Sequence, residues 1–166
     1  MNAFWSYFWP ILGAGLAVGI VAGAIAFRRP PRRIIALALG VLVSIALALL
    51  WHGPLGGAER FSAQVERGVR QTLVYYEMPE VTGHLHHGPL TRRVLLSGPA
   101  DDFQRSELVR YIDEVPGVES ASWSSNDGGV PLIIEGLAVA ILGFLFGLLL
   151  AYLIELRRRY NAQWNW

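Results

Sequence analysis

Residues 24–39 read AIAFRRPPRRIIALAL. An apolar run ends in Arg28-Arg29-Pro30-Pro31-Arg32-Arg33, and a second apolar run begins at once. Pro30 and Pro31 forbid one continuous helix, because proline lacks the amide proton and restricts the residue before it. Two helices joined by a tight, fourfold-positive turn are the reading this stretch imposes. Working outward, residues 3–27 and 34–51 carry no charged side chain, and residues 131–154 carry only Glu135. A hydrocarbon core of about 30 Å takes about 20 apolar residues at 1.5 Å each. The chain is therefore expected to hold three transmembrane helices, over 1–27, 34–51 and 131–154, with an Arg/Pro hairpin at 28–33 and a tail at 155–166. Composition agrees: 53% of the residues are hydrophobic and only 16% charged, against about 25% charged in a soluble domain.

Charge sets the expected orientation. A second basic cluster, Arg157-Arg158-Arg159, follows the third run. Positive loops stay cytoplasmic, and three spans put both clusters on that side with the N-terminus and residues 52–130 outside. A cleavable signal sequence would carry its positive charge before the apolar core, whereas here the charge follows it. The expected location is a bacterial inner membrane, N-terminus periplasmic and C-terminus cytoplasmic. Trp5, Tyr7, Trp9 and Trp51 fall at the outer ends of the spans, and Tyr152, Tyr160, Trp164 and Trp166 at the inner end, where amphipathic rings favour the headgroup level. Trp5, Trp9 and Trp51 are thus candidate lipid contacts.

Each span carries small residues at four-residue spacing: Gly15, Gly19 and Gly23, then Ala36, Gly40, Ser44 and Ala48, then Gly143, Gly147 and Ala151. Such stripes let helix backbones approach closely. They serve packing within the chain or docking against other integral membrane subunits. Glu135 lies about one turn into the third span on its outer side. It is expected to reach the headgroups, favoured by the helix N-terminus. With no series of buried acids and bases, an ion pathway within the chain is not expected.

Residues 52–130 hold the water-soluble material between a Gly/Pro linker at 52–57 and an exit linker, Asn126-Asp127-Gly128-Gly129. Phe61, Val65, Val69, Thr72 and Leu73 recur at helical spacing over 58–75. Val81, Gly83 and Leu85 alternate with Thr82, His84 and His86, and His87-Gly88-Pro89 turns the chain into a second strand, Leu90 to Ser97. Asp101 or Asp102 can cap a following helix that buries Phe103, Leu108, Val109, Ile112 and Val115. Pro116-Gly117 ends that helix, with Gly117 as its cap, and Val118 to Ser124 is a last strand. The expected fold is thus membrane α-helical with a small α+β domain of α-β-β-α-β order.

Leu95-Leu96-Ser97-Gly98-Pro99-Ala100, followed by Arg105, Leu108, Ile112 and Val115-Pro116-Gly117-Val118, resembles the BON domain. That family repeats a strand ending in L-x-G or LSG, an amphipathic helix, and VxGV leading into a closing strand. The resemblance covers about residues 60–124 and none of the spans. The closing stretch, Glu119-Ser120-Ala121-Ser122-Trp123, is more polar than the family's valine-rich ending, and the domain is single where relatives commonly have two. The resemblance implies a non-catalytic envelope module that attaches proteins to phospholipid or to other envelope proteins.

Chemistry-bearing motifs are sparse. There is no Cys, which removes thiolate chemistry and disulfides. His84 and His86 share a strand face next to His87 but lack a third ligand at suitable spacing, so no metal and no cofactor are expected. Residues 52–130 carry seven Arg against eleven Asp and Glu, a net −4, which disfavours nucleic acid. Arg92 and Arg93 are candidate contacts to lipid phosphates. Arg60, Arg67 and Arg70 share the first soluble helix, with Glu59 and Glu66 as expected local ion-pair partners. The expectation is a non-enzymatic structural, assembly or accessory subunit of a larger membrane complex, in contact with lipid. Two alternatives are a free-standing phospholipid-associated envelope-stress protein and a small transporter or enzyme subunit.

Overall fold

The computed structural model describes residues 2–28, 30–124 and 129–163. Trp164, Trp166 and the Asn126-Asp127-Gly128 part of the exit linker lie outside the described residues. The chain folds as two compact units, one of Met1–Tyr7 and Gly56–Glu135, the other of Phe8–Leu55 and Gly136–Trp166. The elements in order are α1 (Ala3–Arg28), a 3-10 turn (Pro30–Arg32), α2 (Arg33–His52), α3 (Gly57–Tyr75), β1 (Thr82–His87), β2 (Leu90–Ser97), α4 (Asp102–Asp113), β3 (Ser120–Ser122) and α5 (Leu132–Gln163).

The helical unit is built from α1, α2 and α5, each long and apolar enough to cross a membrane. With 26 and 20 residues, α1 and α2 are about 39 and 30 Å long. The double proline confines the link between them to one 3-10 turn. α1 and α5 touch backbone to backbone. A Cβ added at Gly15 would strike the Ala140 carbonyl, and one at Gly19 the Phe144 carbonyl and, at 3.0 Å, the Cα of Gly147. Reciprocally, one added at Gly143 would lie 2.5 Å from the Leu12 carbonyl, and one at Gly147 would strike that of Leu16. Contacts advance together from Gly15 with Ala140 to Gly23 with Ala151, so the two helices run parallel. On α2 the buried residues are Gly40, Ser44 and Ala48. Gly40 faces the Phe144 ring and Ala22, and the Ser44 hydroxyl donates to the Gly40 carbonyl at 2.9 Å. Apart from Ala36, which is half-buried, the small-residue stripes are therefore occupied inside this unit.

The outward faces remain apolar, with Ile34, Leu39 and Leu42 of α2 and Leu145, Phe146 and Leu149 of α5 exposed. A water-soluble surface does not keep so continuous an apolar cover, and the three helices suggest membrane insertion. α5 runs past the apolar stretch, on to Gln163. Glu155 supports the extra turns through Arg158 at i+3 and Arg159 at i+4, spacings at which opposite charges stabilise a helix.

In the other unit, a three-stranded sheet has the order β1-β2-β3. β1 and β2 form an antiparallel hairpin, with Leu85 opposite Val94. β3 pairs parallel to β2, with Val94 opposite Ala121, and α4 makes the crossover that a parallel pair requires. The core joins Phe61, Val65, Val69 and Leu73 of α3 to Leu85, Val94, Leu96, Leu108, Ile112 and Ala121. Asp101 caps α4: its carboxylate accepts from the Gln104 amide at 2.7 Å, and the Gln104 side chain accepts from the Asp101 amide at 3.0 Å.

Three local expectations are corrected. Phe103 is 74% exposed because it precedes Leu108 by five residues, which at about 100° per residue turns it roughly 140° off the buried face. β3 covers only Ser120–Ser122, since the Val118 amide is spent on a turn to the Val115 carbonyl at 3.0 Å. Gly117 is not the helix cap. Glu114 is, and Gly117 takes φ +105° in the following turn, where an added Cβ would lie 2.9 Å from Val65. Gly98, at φ +136°, fills the strand-to-helix corner, where a Cβ would fall 2.7 Å from the Glu80 carbonyl.

Gly19→Leu or Gly147→Leu is expected to cost about 1–3 kcal/mol or more by overpacking the helix seam. The loss is read as a lower melting temperature of the full chain in mild detergent. Gly13→Leu, with open space at its Cβ position, leaves melting unchanged, and equal melting of all three would place the helix contact elsewhere. Ile112→Ala, at a fully buried site, is expected to cost about 2–5 kcal/mol, seen as faster amide exchange across α3, α4 and the sheet.

Candidate functional site

The first cluster is electrostatic. Glu135 stands in the first turn of α5, where the helix N-terminus favours an anion. The expectation that it reaches lipid headgroups is corrected. Its Oε2 accepts from Arg92 Nε of β2 at 2.7 Å, with the two side chains 19% and 18% exposed. The Arg92 guanidinium also lies 5.5 Å from the centre of the Phe4 ring in the first turn of α1, within cation–π range. Arg93, one residue on and so on the opposite strand face, donates from Nε to the Ser120 hydroxyl at 3.0 Å. The structure thus directs both of these candidate lipid contacts to protein groups. Trp5 and Trp9 keep about half their surface exposed, at 47% and 52%, and Trp51 is half-buried.

A second cluster gathers around Glu66 of α3. Its Oε1 accepts the Leu85 amide at 3.2 Å and lies 3.4 Å from His87 Nε2 and 3.8 Å from His84 Nδ1. Strand alternation would have grouped His84 with His86. A register shift between Leu85 and His87 turns His87 to Glu66, while His86 Nδ1 faces the Pro89 carbonyl at 3.1 Å. Glu66 therefore serves β1 and not the expected pairing with Arg60, Arg67 or Arg70. Among the described residues no group of three His, Cys, Asp or Glu could hold a metal ion.

The third feature is a groove of about 240 Å³ lined by Tyr76, Met78, Phe103, Gln104, Glu107, Leu108 and Tyr111. Tyr76 and Tyr111 stack with ring centres 4.0 Å apart, and Tyr75 meets Tyr76 edge-on at 5.1 Å. Within residues 57–124 the exposed large apolar side chains are Val74, Tyr75, Tyr76 and Phe103, all at the end of α3 or the start of α4. Desolvation, then the neighbouring Tyr111, Tyr75 and Glu114, raise the Tyr76 hydroxyl above its ordinary pKa. The Arg110 guanidinium bonds the Tyr111 hydroxyl at 3.2 Å and the Glu107 carboxylate at 2.6 Å. Those two contacts raise its already high pKa further. Residues 74–81 and 101–114 together hold Glu77, Glu80, Asp101, Asp102, Glu107, Asp113 and Glu114 against Arg105 and Arg110, a net −5. The groove is aromatic within an acidic surround. Sequence reading missed it because it assigned Phe103 to the core.

In the helical unit the two basic clusters come together. Glu155 meets Arg159 at 3.2 Å, Arg28 at 3.7 Å and Arg158 at 3.8 Å. Beside them Ala26, Phe27, Arg33, Tyr152, Glu155, Leu156 and Arg159 line a cavity of about 310 Å³.

No protein-family model, curated protein or solved structure matches the chain.

The Arg92–Glu135 pair is mostly desolvated. Arg92→Met or Glu135→Gln alone is expected to cost about 3 kcal/mol by stranding the other group. The double variant should lose less than the sum of the single losses. Chemical unfolding of the full chain in detergent measures all three, and strictly additive losses would mean the two groups are uncoupled.

Proposed function

We propose that this protein is a non-catalytic integral protein of the bacterial inner membrane that serves as an accessory or assembly subunit. Its α3–β3 segment acts as a BON-like docking module on the periplasmic face. Two features support the membrane orientation. Arg28, Arg158 and Arg159 meet at one end of the helical unit around Glu155, and positive charge is retained on the cytoplasmic side. Support for the BON-like reading comes from the order of elements along residues 57–122 and from the positive-φ glycines at the two corners of its motif, Gly98 and Gly117.

The observation that carries the accessory role is the aromatic groove with its net charge of −5. Exposed Tyr and Phe beside a pocket are the side chains that anchor protein interfaces. Acidic charge around them repels an anionic bilayer surface and attracts a basic protein surface, speeding its encounter and setting its specificity. That combination favours a partner protein with a basic, apolar-anchored face over attachment of this module to phospholipid. The small-residue stripes, already filled within the chain, leave the soluble module as the recognition element.

Phe103→Glu and Tyr75→Glu alter side chains that are 74% and 80% exposed, so folding is expected to be unaffected. The tagged full chain, purified gently from its own membrane, is expected to carry a stoichiometric partner that is released by salt and lost in both variants at unchanged melting temperature. A partner retained in both variants, or recovery of the chain alone with bound lipid, would overturn the reading and favour the lipid-associated alternative.

A further inference from the structure

The cavity at the arginine end of the helical unit has a chemistry of its own. Ala26, Phe27, Leu156 and the Tyr152 ring make an apolar wall, and Arg33 and Arg159 supply guanidinium groups. Phe27 and Tyr152 meet edge-on at 5.8 Å, which stiffens that wall. Arg159 is held in place, with Nε on Glu155 at 3.2 Å and Nη2 on the Phe27 carbonyl at 3.4 Å. A guanidinium has five N–H donors, so further donors can reach a ligand. Glu155 is the one anion among the described lining residues, and three arginines meet it. Residues 28–33 and 155–159 hold seven Arg against that single Glu, a net +6.

A ligand that satisfies both walls carries a compact anion and an apolar extension. At about 310 Å³ the cavity sits at the small end of ligand pockets, enough for a headgroup but not for acyl chains. Directly after Arg33, Ile34 and Ile35 are 82% and 62% exposed and offer an apolar track for those chains. Arginine matches phosphate in geometry as well as charge. We propose that this cavity binds the phosphate headgroup of one anionic phospholipid, with Arg33 and Arg159 as the phosphate contacts. The proposal rests on the reading of α1, α2 and α5 as membrane spans. It is distinct from the protein-docking groove, whose charge is opposite.

Native mass spectrometry of the full chain, released from detergent with added phosphatidylglycerol or phosphatidylcholine, tests it. One phosphatidylglycerol is expected to stay bound under conditions that strip phosphatidylcholine. Arg33→Gln with Arg159→Gln is expected to lower that retention roughly thirtyfold, about fivefold for each arginine–phosphate contact. Arg157→Gln, outside the lining, is expected to lower it far less than the double variant does. Equal retention of the two lipids by the unaltered chain overturns the proposal whether or not the variants fold. Full displacement by inorganic phosphate also overturns it, in favour of a free-phosphate site. Extraction of the chain from membranes by alkaline carbonate would instead remove the spanning reading itself.

Discussion

The structure of the helical unit depends on one constraint: α1 and α5 must come within backbone contact. In lipid, apolar side chains gain nothing from water exclusion when helices meet, so association comes from dispersion at close range. Gly15, Gly19, Gly143 and Gly147 permit that range because each faces a carbonyl or Cα of the opposite helix. Parallel packing follows, since contacts climb both helices together. α2, linked to α1 by one 3-10 turn, then has to run back along the pair, and Gly40 seats it on Phe144 and Ala22. Only with α1 and α5 parallel do Arg28 and Glu155 fall at the same end. The charge pattern and the packing pattern, read from different residues, thus require the same arrangement.

The other unit is held by a different balance. Its core is small, and β3 contributes only three residues. The parallel register of β2 with β3 is reinforced from outside the ladder: the Asp113 carboxylate accepts the Ala121 amide at 2.6 Å and Arg93 holds Ser120. Arg92 links β2 to Glu135 and Phe4, so the first turns of α1 and α5 join the sheet's own electrostatics. A charge pair of this kind adds specificity more than stability, because desolvation offsets much of the attraction.

Periodicity made the elements readable and long-range pairing did not. The apolar runs, the double proline and the 3.6-residue spacing of Phe61, Val65, Val69 and Leu73 each carry their signal within a few residues, and those helices stand where the sequence puts them. Glu135 looked like a headgroup carboxylate because its partner Arg92 is 43 positions away. His84 was grouped with His86 because strict strand alternation contains no register shift. Phe103 was assigned to the core on hydrophobicity alone, although its five-residue offset from Leu108 already turned it outward. Turned outward, Phe103 lines the aromatic groove with Tyr76 and Tyr111. Hydropathy marks where the apolar run of α5 ends, whereas the i+3 and i+4 pairs of Glu155 accompany the helix past that point.

The two proposed recognition surfaces differ in sign, and this would separate what each binds. The segments that supply the aromatic groove, residues 74–81 and 101–114, carry a net −5, and those that supply the arginine-lined cavity, residues 28–33 and 155–159, a net +6. On that proposal, the acidic surface with exposed rings would disfavour anionic lipid and favour a basic protein, whereas the cationic pocket with an apolar wall would favour an anionic amphiphile. A chain with one uniform net charge could not hold both preferences. Its overall charge of +1 is therefore the residue of two opposed patches and gives no sign of either.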